Sequence, residues 1–252
     1  DFWRGARDWA PLLAILAAYL VLHELATTLE PVAHVQPQLG FDEWLFGGTA
    51  PTVRLQDALW HPAAPSWYDY LAWLVYLSHF VVTPTVAVVL WVRAYPQFLR
   101  FRTLFLIVTF AGFATYVLYP AIPPWLASNR GDMPHTVRIV RAMWLELGLT
   151  GIAKVFGENS RYAFPVGALP SLHAAWPFLL LVFFWPMASP RWRAVLVAYA
   201  LAMPLTLVYS ADHFVFDVLL GWTYVLVVVL GVRAWQARRP RATGLTRRSG
   251  GR

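Results

Sequence analysis

The chain has 252 residues, of which 59% are hydrophobic, 16% aromatic and only 13% charged, against roughly 25% charged in soluble domains. That balance excludes a water-soluble globule, and 14 Trp, 11 Tyr and 16 Phe exclude an intrinsically disordered chain. Without any cysteine, disulfides, thiolate metal sites and cysteine nucleophiles are ruled out, and the net charge of +7 comes from Arg flanking apolar segments, a topological pattern rather than a nucleic-acid surface. The first residue is Asp and not Met, so the sequence is read as starting inside a longer product or after a removed leader.

A helix needs about 20 apolar residues to cross a bilayer, and six stretches come close enough: 9–29, 67–92, 103–119, 171–188, 192–209 and 214–235. Pro84 and Pro204 fall inside two of them and are read as kinks. The loops 30–66 and 120–170 are rich in Trp, Phe and Pro and do not resemble flexible linkers. Within the second, 136–147 alternates basic and apolar positions at helical spacing and predicts a short helix lying in the interface. The expectation is an all-α integral membrane protein. Its six transmembrane helices form a single catalytic domain over 1–235, followed by a basic, disordered cytoplasmic tail over 236–252.

Of the 20 Lys and Arg, 14 lie at the two chain ends and in the loops near residues 93–102 and 191–193, and six lie in the two long loops. The positive-inside rule then puts both termini in the cytoplasm and the long loops outside. A multi-pass plasma-membrane protein follows, with the bilayer as its environment and no nucleic-acid partner.

Two patches hold polar residues that membrane entry should exclude: PSLHAAW, residues 170–176, and YSADHFVFDVLLGW, residues 209–222. An even number of crossings separates His173 from His213, so both return to one face, the extracytoplasmic one. His213 and Asp217 are four residues apart, on one helix face. A carboxylate accepting from one imidazole nitrogen leaves the other as a neutral lone pair, a nucleophile. Pro170 and Ser171 open a helix whose free N–H groups suit an anion such as phosphate, and a protonated His173 supplies the proton that an alkoxide leaving group needs. His173, His213 and Asp217 are also plausible zinc or iron ligands, with Glu24 or Asp212 completing a shell. That alternative leaves Ser171 without a purpose. Asp69, His79, His23 and Glu24 sit at membrane depth and are candidate cavity residues, although a lone His in an apolar segment is more often structural.

PSLHAAW followed forty residues later by HFVFDVLLG resembles the type 2 phosphatidic acid phosphatase superfamily, with its PSxH and HxxxD motifs. The resemblance covers roughly residues 100–235. It implies His213 as the residue that forms a phosphohistidine, Asp217 as its orienting partner, His173 as the acid and Ser171 as a phosphate ligand. Two family features are missing: the KxxxxxxRP motif after the third helix, and an Arg six residues before the third-motif His, where Leu207 stands. Arg161 is the expected substitute cation, with Arg138, Arg141 and Lys154 behind it. Pro123, Pro124 and Trp125 after the third helix are similar to the inositol phosphorylceramide synthase subgroup, which also places Trp125 at the substrate cavity. The subgroup implies a cofactor-free phosphotransferase that moves phosphoinositol from phosphatidylinositol to a lipid or sugar alcohol. A lipid or polyprenyl phosphate phosphatase is the main alternative, and a non-enzymatic lipid-binding or transport subunit is a third.

Overall fold

The computed structural model describes residues 2–155 and 165–238. Among them the chain forms eleven α-helices: α1 (Phe2–Leu29), α2 (Gln36–Leu45), α3 (Pro51–Leu59), α4 (Trp67–Arg93), α5 (Tyr95–Leu118), α6 (Pro124–Arg130), α7 (Ile139–Glu146), α8 (Thr150–Val155), α9 (Leu172–Phe184), α10 (Pro190–Tyr209) and α11 (Val215–Arg238). Their starts are legible as chemistry. Ser66 and Asp69 make a reciprocal capping box on α4. Proline stands in the first turn of α2, α3, α5, α6 and α10, where its missing N–H costs nothing. Helix α6 ends on Gly131 at φ 82°, the left-handed stop that glycine adopts without strain.

Five helices are long and apolar enough to cross a membrane: α1 over Gly5–Ala26, α4, α5, α10 and α11. The chain is thus an all-helical, multi-pass membrane protein. The fourth expected span, 171–188, differs: α9 is helical over only 13 residues, about 20 Å against a hydrocarbon core of about 30 Å. Pro186, two residues beyond Phe184, restricts Trp185 and withholds an N–H, and the chain turns into α10. Pro84 and Pro204 do lie inside continuous helices. The long loops are built rather than open, carrying α2 and α3 in one and α6, α7 and α8 in the other. The expected interfacial helix is α7, but its apolar residues Ile139, Val140, Met143 and Trp144 are buried, with Trp144 edge-on to Trp73 of α4 at 4.9 Å. It packs on protein, not on lipid alone.

The bundle core is a cluster of Phe98, Phe101, Phe105 and Val108 of α5, Leu172 and Leu179 of α9 and Val225 of α11. Outward-facing Leu13, Leu16, Leu205 and Val227 are exposed, as lipid contact requires. At one end, buried Asp8 of α1 accepts from Trp91 Nε1 (3.1 Å) and Tyr95 OH (3.0 Å) and pairs with Arg102 (3.5 Å). At the other end, the segment around Ala121 bridges to His34 on one side and Gly167 on the other, while Ser171 N–H donates to the Asp217 carbonyl at 2.9 Å. Helices α9 and α11 approach so closely there that a Cβ on Gly221 would collide with the Ser171 carbonyl oxygen. Gly221→Ala should therefore lower the thermal midpoint in detergent by several degrees, in the range for an overpacking cost of about 1–3 kcal/mol. Gly231→Ala, with open space around it, is the matched control and should leave the midpoint in place.

Candidate active site

Helix α10 ends at Tyr209, and Ala211 then takes a positive φ of 61° in a fully buried position. For an alanine that conformation costs roughly 1–2 kcal/mol. The turn sets Asp212 and His213 side by side ahead of α11, and the Ala211 carbonyl is held by the N–H of Trp125 (3.0 Å). Two carboxylates secure the start of α11. Asp217 Oδ2 accepts from the Phe214 N–H at 2.9 Å, and Asp42, reaching across from α2, accepts from Val215 N–H (2.9 Å) and Phe216 N–H (3.1 Å). Burial pushes the Asp42 pKa up to about 6, with those two N–H groups pulling the other way.

His213 Nδ1 lies 3.0 Å from the Ala168 carbonyl and 3.5 Å from Asp217 Oδ2. The nearer acceptor is thus a backbone carbonyl, with Asp217 behind it. The reason is local: a carboxylate in the first helical turn turns back to the free N–H groups of its own terminus. Since a carbonyl can only accept, Nδ1 carries the proton and Nε2 the lone pair. Nε2 faces His173 Nδ1 at 3.3 Å. Burial pushes the His213 pKa down to about 4, against the opposing pull of Asp212 and the Ala168 carbonyl, which keeps the ring neutral at pH 7.

His173 stands in the first turn of α9. Its ring stacks on Tyr76 (5.3 Å, 23°) and lies 4.3 Å from His79. Ser171 is the N-cap of α9: it is fully buried, its Oγ accepts from Ala174 N–H at 3.2 Å, and it does not line the pocket in front of the histidines. That pocket, of about 70 Å³, is walled by Tyr76, Trp125, Arg138, His173, Asp212 and His213 together with the 165–168 backbone. Its cation is Arg138. The guanidinium lies over the Trp125 ring at 5.4 Å, and its Nε donates to Asp212 Oδ1 at 2.8 Å. Asp212 also accepts from Ser210 Oγ (2.7 Å). Burial works against the Arg138 charge, but Asp212 and Tyr76 outweigh it and push the pKa further up.

The other expected residues separate. Trp125 is on the pocket wall, and His79 lies behind His173, stacked on Trp176 at 4.3 Å. Asp69 is away from the pocket: it completes the α4 cap and accepts from Tyr209 OH at 2.5 Å. Glu24 is on an exposed face of α1. Arg161 and the side chain of His23 lie outside the described residues. No group of three or more His, Asp or Glu arranged to hold a metal occurs among the described residues.

Sequence reasoning ranked Arg138 behind Arg161, because four Arg and one Lys in one loop look alike until the fold chooses among them. It passed over Tyr76, one of 11 Tyr, and Asp42, whose only signal is an acid in an aromatic-rich segment. Asp42→Ala removes the acceptor for two N–H groups of α11 and should cost about 1–2 kcal/mol, the scale of a lost helix cap, as read by denaturant unfolding in micelles.

The comparisons accord with this geometry. The family model described as the PAP2 superfamily matches residues 40–231. The chain is 33% identical over 137 residues to the phosphoinositol dihydroceramide synthase of Bacteroides thetaiotaomicron, covering 52% of this chain and 44% of that one. It is 28% identical over 182 residues to the inositol phosphorylceramide synthase catalytic subunit of Schizosaccharomyces pombe (68% and 41%), and 25% identical over 230 residues to the inositol phosphorylceramide synthase of Candida albicans (86% and 46%). The chain spans less than half the length of these relatives. No solved structure matches it. A family match that runs from α2 to the far half of α11 and encloses both histidines makes this chain a member of the PAP2 superfamily.

Proposed function

We propose that this chain transfers a phospho-headgroup, phosphoinositol from phosphatidylinositol, to a lipid or sugar hydroxyl through a phosphohistidine on His213. The observation that carries the reading is the neutral Nε2 of His213 meeting His173 at 3.3 Å beside the Arg138 guanidinium. The headgroup and the preference for an alcohol over water rest on the named activities of the three relatives.

In the first step His173, protonated as the anionic phosphodiester enters beside it, gives that proton to the leaving alkoxide while His213 Nε2 attacks phosphorus and the bond to the lipid oxygen breaks. In the second, the acceptor hydroxyl gives its proton to His173, its oxygen attacks phosphorus and the P–N bond breaks. Arg138 meets the charge on the equatorial oxygens, the task expected of Arg161. The Ala168 carbonyl and Asp217 hold the proton on Nδ1 while positive charge develops on the ring. At 3.3 Å no phosphorus atom fits between the two nitrogens, and about 70 Å³ holds little more than two waters. Substrate entry therefore parts the histidine pair, with the His173 ring kept against Tyr76 and the phosphate entering between the two nitrogens beside Arg138. The motif Ser171 serves this chemistry by capping α9 and so aiming His173.

The topology that suits this reading has six crossings and both termini in the cytoplasm, with the site on the extracytoplasmic face. Helix α9 and the turn after it make the short fourth crossing. The absence of cysteine makes this directly testable: with a membrane-impermeant maleimide added outside intact cells, Ala64→Cys should label and Ser189→Cys should not, and the reverse pattern would invert the assignment.

Purified protein given headgroup-labelled phosphatidylinositol and a long-chain alcohol should move label to the alcohol. Release of only soluble inositol phosphate or phosphate would make it a hydrolase. His213→Ala should lose turnover by at least about 1,000-fold, the scale of removing a nucleophile, with lipid binding retained. Because protonation silences the nucleophile, the acid limb of kcat/KM should fall near pH 4, not near the ordinary histidine value of 6.5.

A further inference from the structure

A second cavity, of about 360 Å³, lies against the catalytic pocket, within the roughly 300–1,000 Å³ of small-molecule sites. It opens between α4, which contributes Leu77 and Phe80, and the α7–α8 segment, which contributes Val140, Trp144 and Ile152. Tyr76 and Arg138 belong to both cavities, so the two share a wall. That wall is on the side of the acid, because Tyr76 is the residue stacked on His173. An oxygen protonated by His173 thus leaves phosphorus toward Tyr76, and whatever is bonded to that oxygen is directed into the apolar cavity.

The structure assigns this cavity to one acyl chain of the phospholipid donor, the chain that departs with the lipid alcohol in the first step. This rests on the phosphotransfer reading above. A second feature favours an esterified chain over a plain hydrocarbon. Arg141 lines the cavity, and its Nε is buried with no hydrogen-bond partner among the described residues. An acyl ester supplies a carbonyl acceptor at the depth where the chain joins glycerol, and a donor otherwise left unsatisfied in an apolar wall would gain a partner. The edge-on contact of Trp73 with Trp144 braces α7, one wall of the cavity, against α4, the other.

Photolabelling tests the slot without requiring turnover. The full chain in maltoside micelles is given phosphatidylinositol with a diazirine midway along one acyl chain, and labelled peptides are mapped by mass spectrometry. Label is expected at Leu77 and Trp144 in both the unaltered chain and His213→Ala. Leu77→Trp and, separately, Ile152→Trp fill the slot and should each cut that label about tenfold, the factor expected from losing burial of about two methylenes. Gel filtration of both variants shows that they fold. Label confined to lipid-facing Leu74 and Val81 of the same helix, which are exposed, would overturn the assignment, as would labelling indifferent to both variants. Slot labelling by a diazirine-bearing long-chain alcohol but not by the phospholipid would also overturn it, giving the slot to the acceptor. Slot labelling in an unaltered chain that turns over no phospholipid would sink the phosphotransfer reading and leave the acyl-chain slot standing, whereas turnover with label elsewhere would sink the slot alone.

Discussion

An imidazole is a nucleophile only while one ring nitrogen is free of a proton, and here the 3.0 Å contact between His213 Nδ1 and the Ala168 carbonyl decides which nitrogen that is. A carbonyl cannot donate, so the choice is not reversible in the way a contact with a hydroxyl would be. Much of the surrounding structure serves to hold that oxygen. Ala168 N–H is bonded to the Ala121 carbonyl (3.1 Å), Ala121 N–H to Val166 (3.0 Å), and Ile122 N–H to His34 (3.0 Å). The two long loops are thus laced together under the histidine, through backbone that runs from His34 by way of Ala121 to Ala168, two residues ahead of the first motif.

The second constraint is charge. The site gathers buried Asp212 and Asp217 and largely buried Arg138 around two histidines. Such groups are tolerated only when each has a partner. Asp212 pairs with Arg138 and accepts from Ser210, Asp42 spends both oxygens on N–H groups that start α11, and Asp217 spends Oδ2 there while its Oδ1 is buried with no partner among the described residues. This leaves the Arg138 guanidinium over the Trp125 ring and held by Asp212, the fixed placement that electrostatic stabilisation of a phosphate would require in the proposed reaction. In the proposed reaction this cation stands in for the missing family clamp, its charge coming from the loop before α7 instead of from the ends of the third and fifth apolar segments.

What could be read from the sequence was whatever depends on counting along one chain. Five apolar segments became long helices, the i, i+4 spacing put Asp217 near His213, and His173 and His213, expected on one face, do meet. Contacts that the sequence does not encode as side-chain type stayed hidden. The Ala168 carbonyl is backbone and carries no residue signature. A hydroxyl at a helix start serves a phosphate or a cap equally well, and the contact that the fold gives Ser171 is the cap on α9. Asp69 looked like a membrane-depth functional acid, while its capping partner Ser66 stood three residues ahead in plain view. Helix α9 was read too long because Trp185, Pro186 and Met187 remain apolar after the helix has stopped, so hydropathy continues where hydrogen bonding does not.

The central claim is that His213 Nε2 becomes covalently phosphorylated. The most direct measurement is rapid acid-free quenching of the enzyme after mixing with headgroup-labelled phosphatidylinositol in the absence of acceptor, followed by digestion and tandem mass spectrometry. The account predicts an acid-labile phosphoinositol adduct on the peptide carrying His213 that disappears when alcohol is added. Turnover proceeding with no adduct on that peptide, or an adduct on His173 instead, would contradict it.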